Sequence, residues 1–133
     1  MKFVTLLMAL VLAGCISTAR QLETQSEHRT TVKSDENYQA VYRRVLTQAK
    51  ECLDLGGTFA ASNKVDGQLY SDLGKAEISY YLDNVVDMYF AVVKIDRTGD
   101  GATVNISTGS QPAWANEKLL NQLKGWAEGS RNC

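Results

Sequence analysis

The clean alternation from Lys75 to Leu82 constrains this chain more than any other stretch: Ala76, Ile78, Tyr80 and Leu82 fall on one side and Lys75, Glu77, Ser79 and Tyr81 on the other. A strand of that kind has one buried and one wet face, which calls for an antiparallel sheet with something apolar laid on a single side. The next strand, Val86 to Ile95, is the most hydrophobic stretch outside the N-terminus and is expected at the sheet centre. A three-residue loop, Asp83-Asn84-Val85, sets Leu82 opposite Val86, Tyr80 opposite Met88, Ile78 opposite Phe90 and Ala76 opposite Val92. A two-residue loop would turn Asp87 onto the core side, so the cost of burying an unpaired carboxylate selects the longer one. Asp96-Arg97-Thr98-Gly99-Asp100-Gly101 turns the chain again. Ala102 to Thr108 then returns, with Val104 opposite Val92 and Ile106 opposite Phe90.

Upstream, Thr58 to Lys64 and Gln68 to Asp72 flank Val65-Asp66-Gly67, a turn signal, and predict a further hairpin that Gly74 ends. Helical periodicity brackets these strands. Ser34 and Asp35 offer an N-cap to an amphipathic helix with Tyr38, Val41, Tyr42, Val45, Leu46, Ala49, Cys52 and Leu53 on its apolar side, stopped by Gly56-Gly57. Arg43-Arg44 reads as part of its solvated face rather than as a phosphate contact. Ser110, with Pro112 in the first turn, opens a closing helix from Trp114 to Ala127, striped by Ala115, Leu119, Leu120, Leu123 and Trp126. The predicted order is α-β-β-β-β-β-α. Hairpin-length links make this an α+β domain, with an antiparallel sheet of about five strands and the N- and C-terminal helices packed on one face.

Before this domain, residues 35–133, the sequence changes character. Ile16 to Ser34 holds only Ile16, Ala19, Leu22 and Val32 as apolar residues and shows neither period, so residues 15–34 are expected to form a flexible tether reaching about 25 Å. His28, the only histidine, lies in it with no partner for metal or acid/base work. Residues 1–14 carry Lys2, then an apolar run from Phe3 to Val11, then small residues, which is the layout of a secretory signal peptide. A spanning helix needs roughly 20 apolar residues, and this run is shorter.

Leu12-Ala13-Gly14-Cys15 ends that run, and over these first residues the chain resembles a bacterial lipoprotein precursor, matching the lipobox at all four positions. The resemblance implies diacylation of the Cys15 thiol, cleavage before Cys15 and acylation of the new N-terminus. Three acyl chains hold a protein on a bilayer essentially permanently. In such lipoproteins of Gram-negative bacteria, Asp after the lipid-bearing Cys favours the inner membrane. Ile16 stands there instead, which favours the periplasmic face of the outer membrane and leaves the inner membrane and cell surface open.

With Cys15 assigned to lipid, Cys52 and Cys133 remain as an even pair in an oxidising compartment. A disulfide between them would close a loop of about 80 residues, contribute about 4 kcal/mol, and place both helices on one side with their C-terminal ends close. The alternative is a buried thiol at Cys52 and a loose Cys133.

Composition excludes more than it assigns. Removal of Lys2 from the 14 Lys and Arg leaves 13 against 15 Asp and Glu, with no basic patch for nucleic acid. The Asp96 to Gly101 run imitates the start of a calcium loop, but Ser107 stands where the bidentate Glu belongs, and it is read as a turn. No Ser-His or Cys-His pair and no phosphate loop can be assembled, so no enzyme, metal or cofactor is expected. Tyr81 and Tyr89, with Asp87 and Ser79 beside them and Tyr70 as a possible addition, fall on the sheet face away from the helices. Tyr with polar neighbours suits a binding surface, and equally an exposed strand face that uses Tyr for its β-propensity. The expectation is a lipid-anchored, non-enzymatic protein binding a protein or envelope component through that face. The alternative is a periplasmic carrier or sensor of a small apolar ligand held between helices and sheet.

Overall fold

A computed structural model of the chain describes residues 16–58 and 60–133. The expected signal peptide, the lipobox-like motif and Cys15 lie outside the described residues. These hold helix α1 (Ala19–Gln25), strand β1 (His28–Ser34), helix α2 (Tyr38–Leu53), strands β2 (Gly56–Gly57), β3 (Ser62–Tyr70), β4 (Lys75–Asp83), β5 (Met88–Thr98) and β6 (Gly101–Thr108), and helix α3 (Ala113–Glu128). The six strands form one sheet in the order β1-β6-β5-β4-β3-β2, with every neighbouring pair antiparallel. The expected α+β architecture is present, with α2 and α3 on the same sheet face. Val41, Val45 and Ala49 of α2 and Leu119, Leu123 and Trp126 of α3 share one buried cluster with Ile78, Val93, Ile95, Val104 and Ile106.

The segment expected to be a tether is instead folded. β1 pairs along its whole length with β6, from His28 opposite Thr108 to Ser34 opposite Ala102, and Val32 enters the core opposite Val104. Ahead of it, α1 is capped by the Thr18 hydroxyl, which accepts from Gln21 N, and crosses the sheet face opposite α2 and α3. There Leu22 is fully buried, and Glu23 meets Lys94 at 2.8 Å. Periodicity gave no sign of either element because each buries so little. β1 is an edge strand with Arg29, Thr31 and Lys33 in solvent, and α1 buries a single leucine.

The predicted hairpin around Val65-Asp66-Gly67 is also replaced. β3 runs straight through it, and only the two residues of β2 pair ahead of it, Gly56 with Asn63 and Gly57 with Ser62. Gly67 serves packing, not turning. A Cβ there would lie 2.6 Å from the Tyr42 hydroxyl and 2.8 Å from both Leu46 methyls, so α2 rests directly on the bare backbone. The reversal comes later, at Ser71 to Gly74, as Gly74 suggested.

Between β4 and β5 the register departs from expectation twice: the link spans five residues, Asp83 to Asp87, instead of the expected three, so that Leu82 faces Met88 and not Val86, and a β-bulge then adds one residue more. Ile78 faces Val93 and Tyr80 faces Ala91, but Tyr81 faces Tyr89 and Leu82 faces Met88, which leaves Phe90 as an extra residue on β5. Unbroken alternation with Phe90 and Val92 toward the helices would have carried Lys94 and Asp96 there too. The bulge sends Ala91, Val93 and Ile95 into the core and Lys94 to the opposite face, while Phe90 still packs against the core beside Tyr80. Val104 and Ile106 keep their expected face, opposite Ile95 and Val93.

Helix ends differ in detail. Asn37, not Ser34 or Asp35, caps α2 by accepting from Gln39 N, since Ser34 is the last residue of β1. Ser110 caps nothing, because it adopts a positive φ of 64° in the link to α3. Cys52 and Cys133 form the expected disulfide, with Cα atoms 5.5 Å apart. The helix ends do not meet, however. The C-terminal end of α3 abuts the middle of α2, where Arg44 donates to the Trp126 and Ala127 carbonyls, and the tail doubles back past Gln122 to reach Cys52.

Candidate functional site

Each strand contributes to the face away from α2 and α3 in proportion to what α1 leaves uncovered. Over β5 and β6, α1 shields Val92 and Ser107. Between α1 and the sheet lies a cavity of about 360 Å³ whose lining includes Glu23, Arg29, Lys94 and Asn105. Toward β3 the face stays open, and there the bulge brings Tyr81 and Tyr89 together.

Their rings stack with centroids 5.1 Å apart and planes 25° from parallel. Without the extra residue at Phe90, Tyr89 would turn toward the helices, so the bulge creates this pair. The Tyr81 hydroxyl donates to Asp66 Oδ2 at 2.5 Å, reaching diagonally across to β3, where Asp66 itself faces Ser79. Asp66 is the site residue that sequence reasoning missed. Its assignment to a turn hid it, and the alternation of β3 about buried Val65 is the signal that could have found it.

These neighbours disfavour ionisation of both phenols. The hydrogen bond to the Asp66 carboxylate pushes the Tyr81 ionisation far above its ordinary range, with burial and the charges of Asp66 and Asp87 adding to it. Tyr89 is raised first by burial and then by Asp87, Asp66 and Glu77. Asp87 therefore stands close enough to act on both rings. Tyr70 does not join them. It hydrogen-bonds to Gln68 and faces Lys75, six positions along β4 from Tyr81, or roughly 20 Å at the rise of a strand.

A stacked aromatic pair fringed by Asp66, Glu77 and Asp87 can receive the flat or cationic groups of a partner, the rings offering π faces and the carboxylates acceptors. Elsewhere, Asp96, Arg97 and Thr98 of the calcium-like run lie within β5, only Gly99 and Asp100 make the turn, and Asp96 pairs with Lys75 at 3.5 Å. Among the described residues no three His, Cys, Asp or Glu side chains gather into a metal-holding group, and no helix is long and apolar enough to cross a membrane.

Fold and face define a class: a disulfide-closed antiparallel α+β domain, two helices packed on one sheet face and a third partly covering the other. No protein-family model matches the chain, and no curated protein matches it in sequence.

Proposed function

We propose that this chain is a membrane-anchored periplasmic lipoprotein without catalytic activity, held on the outer membrane by lipid on Cys15 and binding a protein or other envelope component through the open sheet face. The carrying observation is the stacked, half-buried pair Tyr81 and Tyr89, which Asp66 orients on the sheet face away from α2 and α3. Fixed aromatic rings lose little conformational entropy on binding, which suits a contact surface. The alternative, a carrier of a small apolar ligand, is less well supported. Between the helices and the sheet, the space such a ligand would take is occupied by Trp126, Leu123, Val45, Ile78 and Ile95, all fully buried or nearly so.

Crosslinking of the tethered protein in intact cells, followed by identification of what it captures, tests the proposal. The double substitution Tyr81→Ser/Tyr89→Ser should abolish capture and leave the thermal unfolding transition sharp. Capture that survives it would rule out the face. Lipid recovered by mass spectrometry from an organic extract of the purified domain would favour the carrier instead.

A further inference from the structure

The first described residue is held at one end of the sheet. Tyr89 N donates to the Ile16 carbonyl at 3.0 Å, and the Ile16 side chain packs beside Leu22 over Gly109, where an added Cβ would meet both. Cys15 is the next residue back, and adjacent Cα atoms are separated by about 3.8 Å. Acyl chains on Cys15 would therefore enter the bilayer directly beside this end, with no slack between anchor and domain.

The same end is unusually apolar at its surface. Here the link between β4 and β5 presents Val85 and Val86, 99% and 63% exposed. Trp114, 71% exposed, stands in the first turn of α3, next to Ala113, which lines the same hollow as Ile16. Leu55, 76% exposed, precedes β2, whose partner Asn63 faces Leu82 near the end of β4. Valine, leucine and tryptophan so exposed are what an interfacial contact uses, tryptophan above all at the headgroup level. Asp83 and Asp87 flank the two valines, so attraction to anionic lipid is not the driving force.

We infer that this end, through Val85, Val86, Trp114 and Leu55, docks on the surface of the bilayer that anchors Cys15, an inference that rests on the lipid anchor proposed above. The domain then sits on the membrane instead of hanging from it. The open face at Tyr81 and Tyr89 stands just above the headgroups, turned sideways toward whatever shares that membrane.

The two tryptophans make the test direct, since Trp126 is fully buried in the core and only Trp114 can report contact. The lipidated full-length chain is reconstituted in phosphatidylcholine vesicles with plain or brominated acyl chains, bromine quenching an indole only at close range. Docking predicts that tryptophan emission shifts to the blue in plain vesicles and is quenched in brominated ones. Quenching should vanish in Trp114→Phe. It should weaken in Val85→Asp/Val86→Asp, a variant that leaves the core untouched and still floats with the vesicles. A chain that floats with its emission indifferent to bromine overturns the docking while leaving the anchor standing. An intact mass without acyl groups on Cys15 overturns the anchor, and the docking with it.

Discussion

Asp66 shows how one side chain can set the chemistry of its neighbours. Its carboxylate fixes the Tyr81 ring by a hydrogen bond and raises the pH at which that phenol ionises, its ordinary value being 10.0. The stabilisation is present in full below the ordinary tyrosine value, where folded and unfolded chains are both protonated, and is lost as pH rises through the raised one. Asp66→Asn should therefore return the Tyr81 ionisation toward the ordinary value, read by the absorbance of tyrosinate in an alkaline titration. Tyr80 and Tyr42, raised by burial, should titrate late in both proteins. An unchanged titration would mean that the carboxylate does not control Tyr81. Arg44 is a second such residue. Read from sequence as part of a solvated face, it binds Glu36 at 2.7 Å and closes the open carbonyls of α3, a helix end that favours positive charge.

At the scale of elements, what sequence revealed depended on how much each element buries. α2 and α3 repeat their apolar stripe over four turns and were legible, as was β4, whose alternation is unbroken. β1 and α1 contribute Val32 and Leu22 and little else to the interior, too few residues to form a period. In β3 the pair Asp66-Gly67 has the chemistry of a turn, but the glycine is there for the close approach of α2, a tertiary reason that no local pattern carries. The bulge was hidden likewise, yet the parity of Tyr81, Asp87 and Tyr89 survived it, because the extra residue falls just beyond Tyr89. Since Leu22 is the one buried side chain of α1, Leu22→Ala should cost about 3 kcal/mol and release the helix from the sheet. Hydrogen exchange would show protection lost across residues 19–25 and kept in β4 and β5. Equal loss throughout would mean that α1 is integral to global folding.

For the molecule as a whole, the disulfide is the longest-range covalent constraint, joining residues 81 apart. Reduction should lower stability by about 4 kcal/mol in the chain-entropy model, checked by urea unfolding with and without reductant. A shift near zero would mean that the tail is held well enough by the bonds from Trp126 to Asn132 and from Gln122 to Cys133. A last consequence follows from the strand order. Among the described residues, β1, the first strand, pairs only with β6, the last, so His28 pairs with a residue that emerges much later. A chain delivered N-terminus first must keep its opening strand waiting while four others arrive. The sheet can finish only after Thr108 is out, so a pairing of such long sequence separation makes completion of the fold a late event.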